Sequence, residues 1–438
     1  MPLVYVLIGI VILIVLIGYF KLDTFISFIV VSMGVGLAVG MSPEAVSKAV
    51  QTGIGSVLGF LVIILGFGAM LGKLVADSGA AQRISSSLID RFGKKYVQWA
   101  LVLTGFIVGI PLFYSVGFVI LVPLVFTVAA TTRLPMLYVG LPMLSALSVT
   151  HGYLPPHPAP SAIVVTYGAD LGMTLVYGLI IAVPAIILGG PVFATTLKQY
   201  NPKPLKAFYN PTIFEEEEMP SLFISIFTAL LPVLLLAVTA VLKLLVSPAS
   251  TFGKILAFLG DPVIAMLITI LVAIYTLGLG RGKPMRVVMD SLAASIRSIA
   301  MILLIIAGAG ALKQILVESG VSEYIADLLK NVQVSPLILA WGIAAVIRVC
   351  VGSATVAGLT SAGIVLPLIA QTGADPNLMV LATGAGSLMF SHVNDTGFWM
   401  FKEYFNLTVK ETVKTWSVME TIVSVVGLLG VLILNLFI

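Results

Sequence analysis

Eight predominantly apolar stretches of about 20 residues, near 2–20, 24–41, 54–76, 171–197, 221–246, 260–280, 291–317 and 412–437, run through the chain. A helix needs about 20 such residues to cross a hydrocarbon core of about 30 Å. None of the stretches alternates with the period of two that marks a membrane β-barrel strand. The expected class is therefore an all-α polytopic membrane protein. Composition agrees: 59% of the 438 residues are hydrophobic and 10% are charged, against about 25% charged in a soluble domain. This excludes a soluble enzyme, a nucleic-acid binder and a disordered chain. The single cysteine, Cys350, excludes an internal disulfide and a Cys-based metal cluster. Residues 1–20 contain no Lys, Arg or small-residue cleavage pattern and read as a retained first helix.

Two zones do not fit a simple span. Residues 96–131 and 335–371 each hold two apolar runs of about 15 residues, about 22 Å at helical rise and too short for the bilayer core. The runs meet at Gly109–Gly117 and at Gly352–Gly358. This pattern predicts re-entrant hairpins, with short tilted spans as the alternative. Two further stretches read as broken helices: 135–168, interrupted at His151–Pro160, and 376–405, interrupted at His392–Gly397. A helix cannot cross Pro155, Pro156, Pro158 and Pro160 without losing backbone hydrogen bonds. Unwound backbone is tolerated at membrane depth only where protein buries it or it lines an aqueous cavity.

The halves resemble each other. Ala76–Gly79 aligns with Val317–Gly320 at an offset of 241, and the same offset places His151 on His392. We expect two repeats, 1–197 and 220–438, joined by a linker at 198–219. Each has about five crossings, one hairpin and one broken helix, so the second is inverted relative to the first. Under this topology sixteen of the 23 Lys and Arg fall on one side and five on the other, with Arg297 and Arg348 in the membrane. Positive residues mark the cytoplasmic side, which puts both termini outside the cytoplasm and the linker within it. The run Glu215–Glu218 in that linker reads as a solvated face. Inverted repeats with broken helices are the architecture of secondary transporters, with the substrate near the midplane.

Few residues are left to carry chemistry. All three histidines, His151, His157 and His392, fall at the two breaks, and histidine suits proton exchange near neutral pH. Asn394, Asp395 and Thr396 form the polar centre of the second break. An ionisable group at that depth is a functional candidate by default, although Asp395 can also cap the following half-helix. Arg348 lies well inside the second hairpin, where it either pairs a substrate carboxylate or forms an ion pair with an acid such as Asp395. The hairpin tips offer Tyr114 and Ser115 in one half, Ser353 and Thr355 in the other, and helix N-termini there suit a carboxylate. Glu420, inside the last span, either pairs with a neighbour or sits close enough to the cytoplasmic end to reach water, and the second is the expectation. No metal is expected, because Asp395 is the only acid near the histidines. No cofactor is expected either: Gly66–Lys73 mimics a phosphate loop, but Leu74 stands where Ser or Thr is required. An intramembrane hydrolase would need a nucleophile or metal set that these residues do not supply.

Ser148-Val-Thr-His-Gly-Tyr-Leu-Pro-Pro-His-Pro-Ala-Pro-Ser-Ala-Ile163 resembles the first signature of the gluconate permease family, and Gly384-Ala-Gly-Ser-Leu-Met-Phe-Ser-His-Val-Asn-Asp-Thr-Gly-Phe-Trp399 resembles the second. The resemblance implies proton-coupled symport of gluconate or a related small hydroxylated carboxylate in a bacterial inner membrane. D-serine or glycerate as substrate, and sodium as coupling ion, are the alternatives. Substrate contacts are then expected from Tyr114, Ser115, His151, Arg348, Ser353, Thr355, His392, Asn394, Asp395 and Thr396, and proton coupling from His151, His157, His392 and Asp395. Similarity to a wider group of ion transporters with paired hairpins further implies a homodimer and an elevator-like motion.

Overall fold

The computed structural model describes residues 2–200, 214–243, 245–320, 334–393 and 395–438, and every regular element among them is helical. The first half contains α1 (Pro2–Gly18), α2 (Thr24–Ala38), α3 (Pro43–Asp77), α4 (Ala80–Phe92), α5 (Val97–Gly109), α6 (Tyr114–Thr132), α7 (Met136–Tyr153), α8 (Pro158–Tyr167) and α9 (Leu171–Leu197). The second contains α10 (Leu222–Lys243), α11 (Thr251–Leu259), α12 (Pro262–Arg281), α13 (Met285–Glu318), α14 (Pro336–Val351), α15 (Ala354–Thr372), α16 (Pro376–Gly386), α17 (Thr396–Tyr404) and α18 (Val409–Leu434). Most of the expected linker and Asn394 lie outside the described residues.

Among the described residues seven helices are long and apolar enough to cross a membrane: α3, α9, α10, α12, the Ile299–Glu318 part of α13, α15 and α18. The acids that interrupt the apolar pattern largely start helices. Asp23, Asp170, Asp261 and Asp375 each accept backbone N–H groups at the beginning of α2, α9, α12 and α16, which satisfies donors that have no partner within the helix.

The long helices α3 and α13 cross with their backbones in contact. A Cβ on Gly53 would lie 2.3 Å from the Gly310 carbonyl oxygen, and one on Gly310 would lie 2.6 Å from the Gly53 carbonyl oxygen. Small residues at a crossing permit this approach where no water-driven hydrophobic force operates between helices. The broken helices also meet closely: a Cβ on Gly384 in α16 would fall 2.5 Å from the Gly152 carbonyl oxygen in α7.

Three expectations need correction. The hairpin arms are unequal, since α5 and α14 have 13 and 16 residues but α6 and α15 have 19 each. A 19-residue helix is about 28 Å long, and α15 is itself among the helices of spanning length. It reaches that length because Pro367 sits inside the helix without ending it. The breaks are also displaced. The first is confined to residues 154–157, so His151 is helical, and α8 starts on Pro158, whose missing N–H is no loss at a first helical position. The second begins earlier than expected, at Ser387, and ends at Asp395. The acidic run is more than a solvated face. Glu216 is exposed, but Arg83 pairs with its carboxylate at 2.9 Å and donates to the carbonyls of Glu216 and Pro220, while Arg281 donates to that of Glu217.

Candidate functional site

Between the two halves lies a cavity of about 380 Å³. The first half contributes the start of α6 (Tyr114, Ser115) and the last turns of α7 (Ser148, His151). The second contributes Arg348 at the end of α14, Ser353 and Thr355 at the start of α15, Asp395 and Thr396 at the start of α17, and Trp416 and Glu420 on α18. Three helix N-termini, those of α6, α15 and α17, therefore border one space. Each presents backbone N–H groups and the positive end of a dipole, which favour an anion.

Arg348 is 3% exposed and donates from Nη2 to Asp395 Oδ2 at 2.5 Å. Both roles considered for it remain compatible with this geometry, because Nε and Nη1 have no hydrogen-bond partner. A buried cation keeps its place only when paired, and Asp395 provides that pairing. Asp395 is held in turn by three donors: Arg348, the Ser391 hydroxyl and the Gly397 N–H at 3.1 Å. It thus caps α17 and neutralises Arg348 with the same carboxylate. Ser391 is fixed from the other side by the Trp416 indole N–H at 2.8 Å, and the Ser417 hydroxyl donates to its carbonyl. The aromatic rings of Tyr114 and Trp416 lie 5.8 Å apart across the cavity edge.

The opposite wall is neutral or acidic. The Tyr114 hydroxyl and His151 Nδ1 are buried without a hydrogen-bond partner. Glu420 is 2% exposed; the Ser148 hydroxyl donates to its Oε1 at 2.6 Å and Oε2 has no partner. Unpartnered buried polar atoms are rare in folded proteins, and here five of them belong to four residues that line one cavity. The cavity wall thus holds unused donors on Arg348 and an unused acceptor on Glu420.

The structure brings together Tyr114, Ser115, His151, Arg348, Ser353, Thr355, Asp395 and Thr396. It places the other two histidines elsewhere. His157 stands behind His151, with ring centres 5.2 Å apart, and its Nε2 bonds the Gly109 carbonyl at 2.9 Å in a separate narrow crevice. His392 bonds the Val349 carbonyl at 2.9 Å and does not line the cavity. Glu420 is the main correction. The expected water-reaching position assumed a span starting near 412, whereas the helix starts at Val409 and puts Glu420 about 17 Å along it. Ser148 and Trp416 also line the site without having been singled out. Ser148 lies three residues before His151, on the same helical face, and that spacing was the available signal.

With seven helices of spanning length among the described residues and a polar cavity among them, the chain is a multi-pass membrane protein. Comparison with known proteins gives the family: residues 1–437 match the GntP family permeases, to which the chain belongs. It is 54% identical over the full length of both chains to a high-affinity gluconate transporter of Escherichia coli (strain K12). It is 53% identical to the Gnt-II system L-idonate transporter of the same organism, over 99% of each chain, and 48% identical over all of both chains to a gluconate permease of Bacillus subtilis (strain 168). Its relatives are transporters and permeases, so this is a transport protein and not an enzyme. Among solved structures, the Alcanivorax borkumensis YdaH transporter shares the fold, with a TM-score of 0.64 at 17% identity, covering 94% of this chain and 96% of that one.

Proposed function

We propose that the protein is a proton-coupled symporter that carries gluconate or a closely related sugar acid into the cell across a bacterial inner membrane. The observation that carries this reading is Arg348: a buried guanidinium lining the cavity, with one nitrogen neutralised by Asp395 and two left without partners. A charged donor of this kind suits a carboxylate. The hydroxyls of Ser115, Ser353, Thr355 and Thr396, with Tyr114 and His151, then receive the polyhydroxylated chain. Relatives named for gluconate and for L-idonate, two six-carbon sugar acids, support the same substrate class.

The architecture proposed with this function is a pair of inverted repeats, 1–197 and 220–438, joined by the cytoplasmic linker 198–219, with both termini outside. The helix order supports it. α3 and α13 have 35 and 34 residues; the pairs α5–α6 and α14–α15 follow each in turn; α7–α8 and α16–α17 are the broken helices; and α9 and α18 close the halves. The pairs α5–α6 and α14–α15 are read as re-entrant arms whose tips carry the substrate, moving in an elevator-like manner within a homodimer. His151 and Asp395 face the substrate, whereas His157 and His392 act through the backbone of α5 and α14.

Proteoliposomes with an imposed proton gradient should accumulate labelled gluconate. Collapse of the pH gradient should abolish accumulation, and replacement of sodium by choline should leave it unchanged. Loss of uptake in choline would instead assign sodium as the coupling ion. Competition by D-serine or glycerate in preference to gluconate would move the substrate to a different hydroxylated acid.

A further inference from the structure

Glu420 has no part in the substrate contacts proposed above, and among the described residues it is the cavity carboxylate that no cation pairs. Asp395 is saturated by Arg348, Ser391 and the Gly397 N–H. His157 and His392 are tied to carbonyl oxygens. Glu420 has one oxygen bonded by Ser148 and a second with no donor, is 2% exposed, and has no cation in salt-bridge contact among the described residues. The groups that face it are Ser148, His151 and Tyr153 from α7, Tyr114 from α6, Arg348 from α14, Asp395 before α17, and Trp416 one turn earlier on its own helix.

We propose that Glu420 is the proton-carrying carboxyl of the transport cycle, binding the coupled proton at Oε2 as the substrate carboxylate docks on Arg348. This rests on the proton-coupled reading above. The neutral acid has a hydrogen to donate, which the carboxylate lacks, so a proton at Oε2 gives that atom a bond to make with a substrate hydroxyl. Charge points the same way. The substrate brings one negative charge into a confined cavity and the proton on Glu420 cancels it, so loading changes no net charge. A proton placed on His151 would create a second cation beside Arg348 and compete with it for the substrate. Release of the proton on the inner side restores the carboxylate and sets the carrier for return.

The test uses reconstituted full-length protein with three readouts: proton movement accompanying gluconate entry, accumulation against a gradient, and counterflow exchange of labelled for unlabelled gluconate. Glu420→Gln imitates the neutral acid and keeps an acceptor for Ser148. It should exchange gluconate within about threefold of wild type, yet neither accumulate it nor move protons. Glu420→Asp, which keeps a carboxyl, should retain proton movement. Proton movement in Glu420→Gln overturns the proposal. So does loss of counterflow in Glu420→Gln protein that gluconate still stabilises against heat, because the neutral form must be exchange-competent. Equal loss of coupling in Glu420→Asp, with exchange intact, also counts against it. If wild-type protein moves no protons, the symport reading itself fails and the assignment to Glu420 falls with it.

Discussion

The two halves of the molecule supply opposite kinds of chemistry to one cavity. From the first come Tyr114, Ser148 and His151; from the second come Arg348, Asp395 and Glu420, which hold all the formal charge at the site. At the 241-residue offset, Ile107, Leu154 and Leu179 stand where the second half has Arg348, Asp395 and Glu420. Under the proposed repeat, equivalent positions therefore carry different residues. A monocarboxylate needs one cation and that cation needs one counter-ion, so a duplicate set would bury a second ion pair with nothing to bind. Burial of such a pair has a desolvation cost that only good geometry offsets.

The contrast can be broken most forcefully at Arg348. Arg348→Ala should abolish gluconate uptake and leave the half-buried Asp395 without its cation, at a cost below the ~3–5 kcal/mol of a fully buried pair; a thermal melt of purified protein measures this. Arg348→Lys should restore little, since an ammonium cannot reproduce a fork that holds Asp395 and substrate together. Next comes the contact between the breaks. Gly384→Ala forces a methyl group against the Gly152 carbonyl and should cost about 1–3 kcal/mol of stability, seen as a lowered melting midpoint, with a raised KM for uptake. On the neutral side, His151→Ala removes a cavity-facing hydrogen-bonding group together with its ring contact to His157. Uptake should fall about tenfold, the equivalent of about 1.4 kcal/mol, with a smaller drop in the melting midpoint than Arg348→Ala gives. The smallest effect belongs to its counterpart in the second half. His392 bonds a backbone carbonyl away from the cavity, so His392→Ala should keep uptake within about threefold of wild type, a change worth under about 1 kcal/mol. Equal losses at His151 and His392 would contradict the division of labour between the halves.

Much of the site was legible in the sequence because polar residues are scarce there. In an apolar chain, the breaks around His151 and Asp395 and the tips at Tyr114 and Ser353 are conspicuous, and unwound backbone has to gather around a cavity. The chain order of the helices follows from the same scarcity. Glu420 was misplaced for the converse reason. It is one acid within a long apolar run, its depth depends on where α18 begins, and its orientation depends on packing against Ser148 in a helix 272 residues distant in sequence. The histidines were grouped by their position at the breaks. Which of them faces the cavity was not readable, because α7 is buried almost all round and shows no polar face. The lengths of α6 and α15 exceed the expected runs of about 15 residues because each helix starts inside the Gly-rich tip, at Tyr114 and Ala354, and at Pro367 the helix continues.

The central claim is that this cavity is where a hydroxylated carboxylate binds. A single cysteine at Thr355, in a Cys350→Ser background, reports on it directly. Its rate of modification by a small charged thiol reagent should fall several-fold in saturating gluconate, and it should be unaffected by sorbitol, which has the hydroxyls and lacks the carboxylate. A rate unchanged by gluconate, in protein that still transports it, would place the substrate elsewhere and contradict the account.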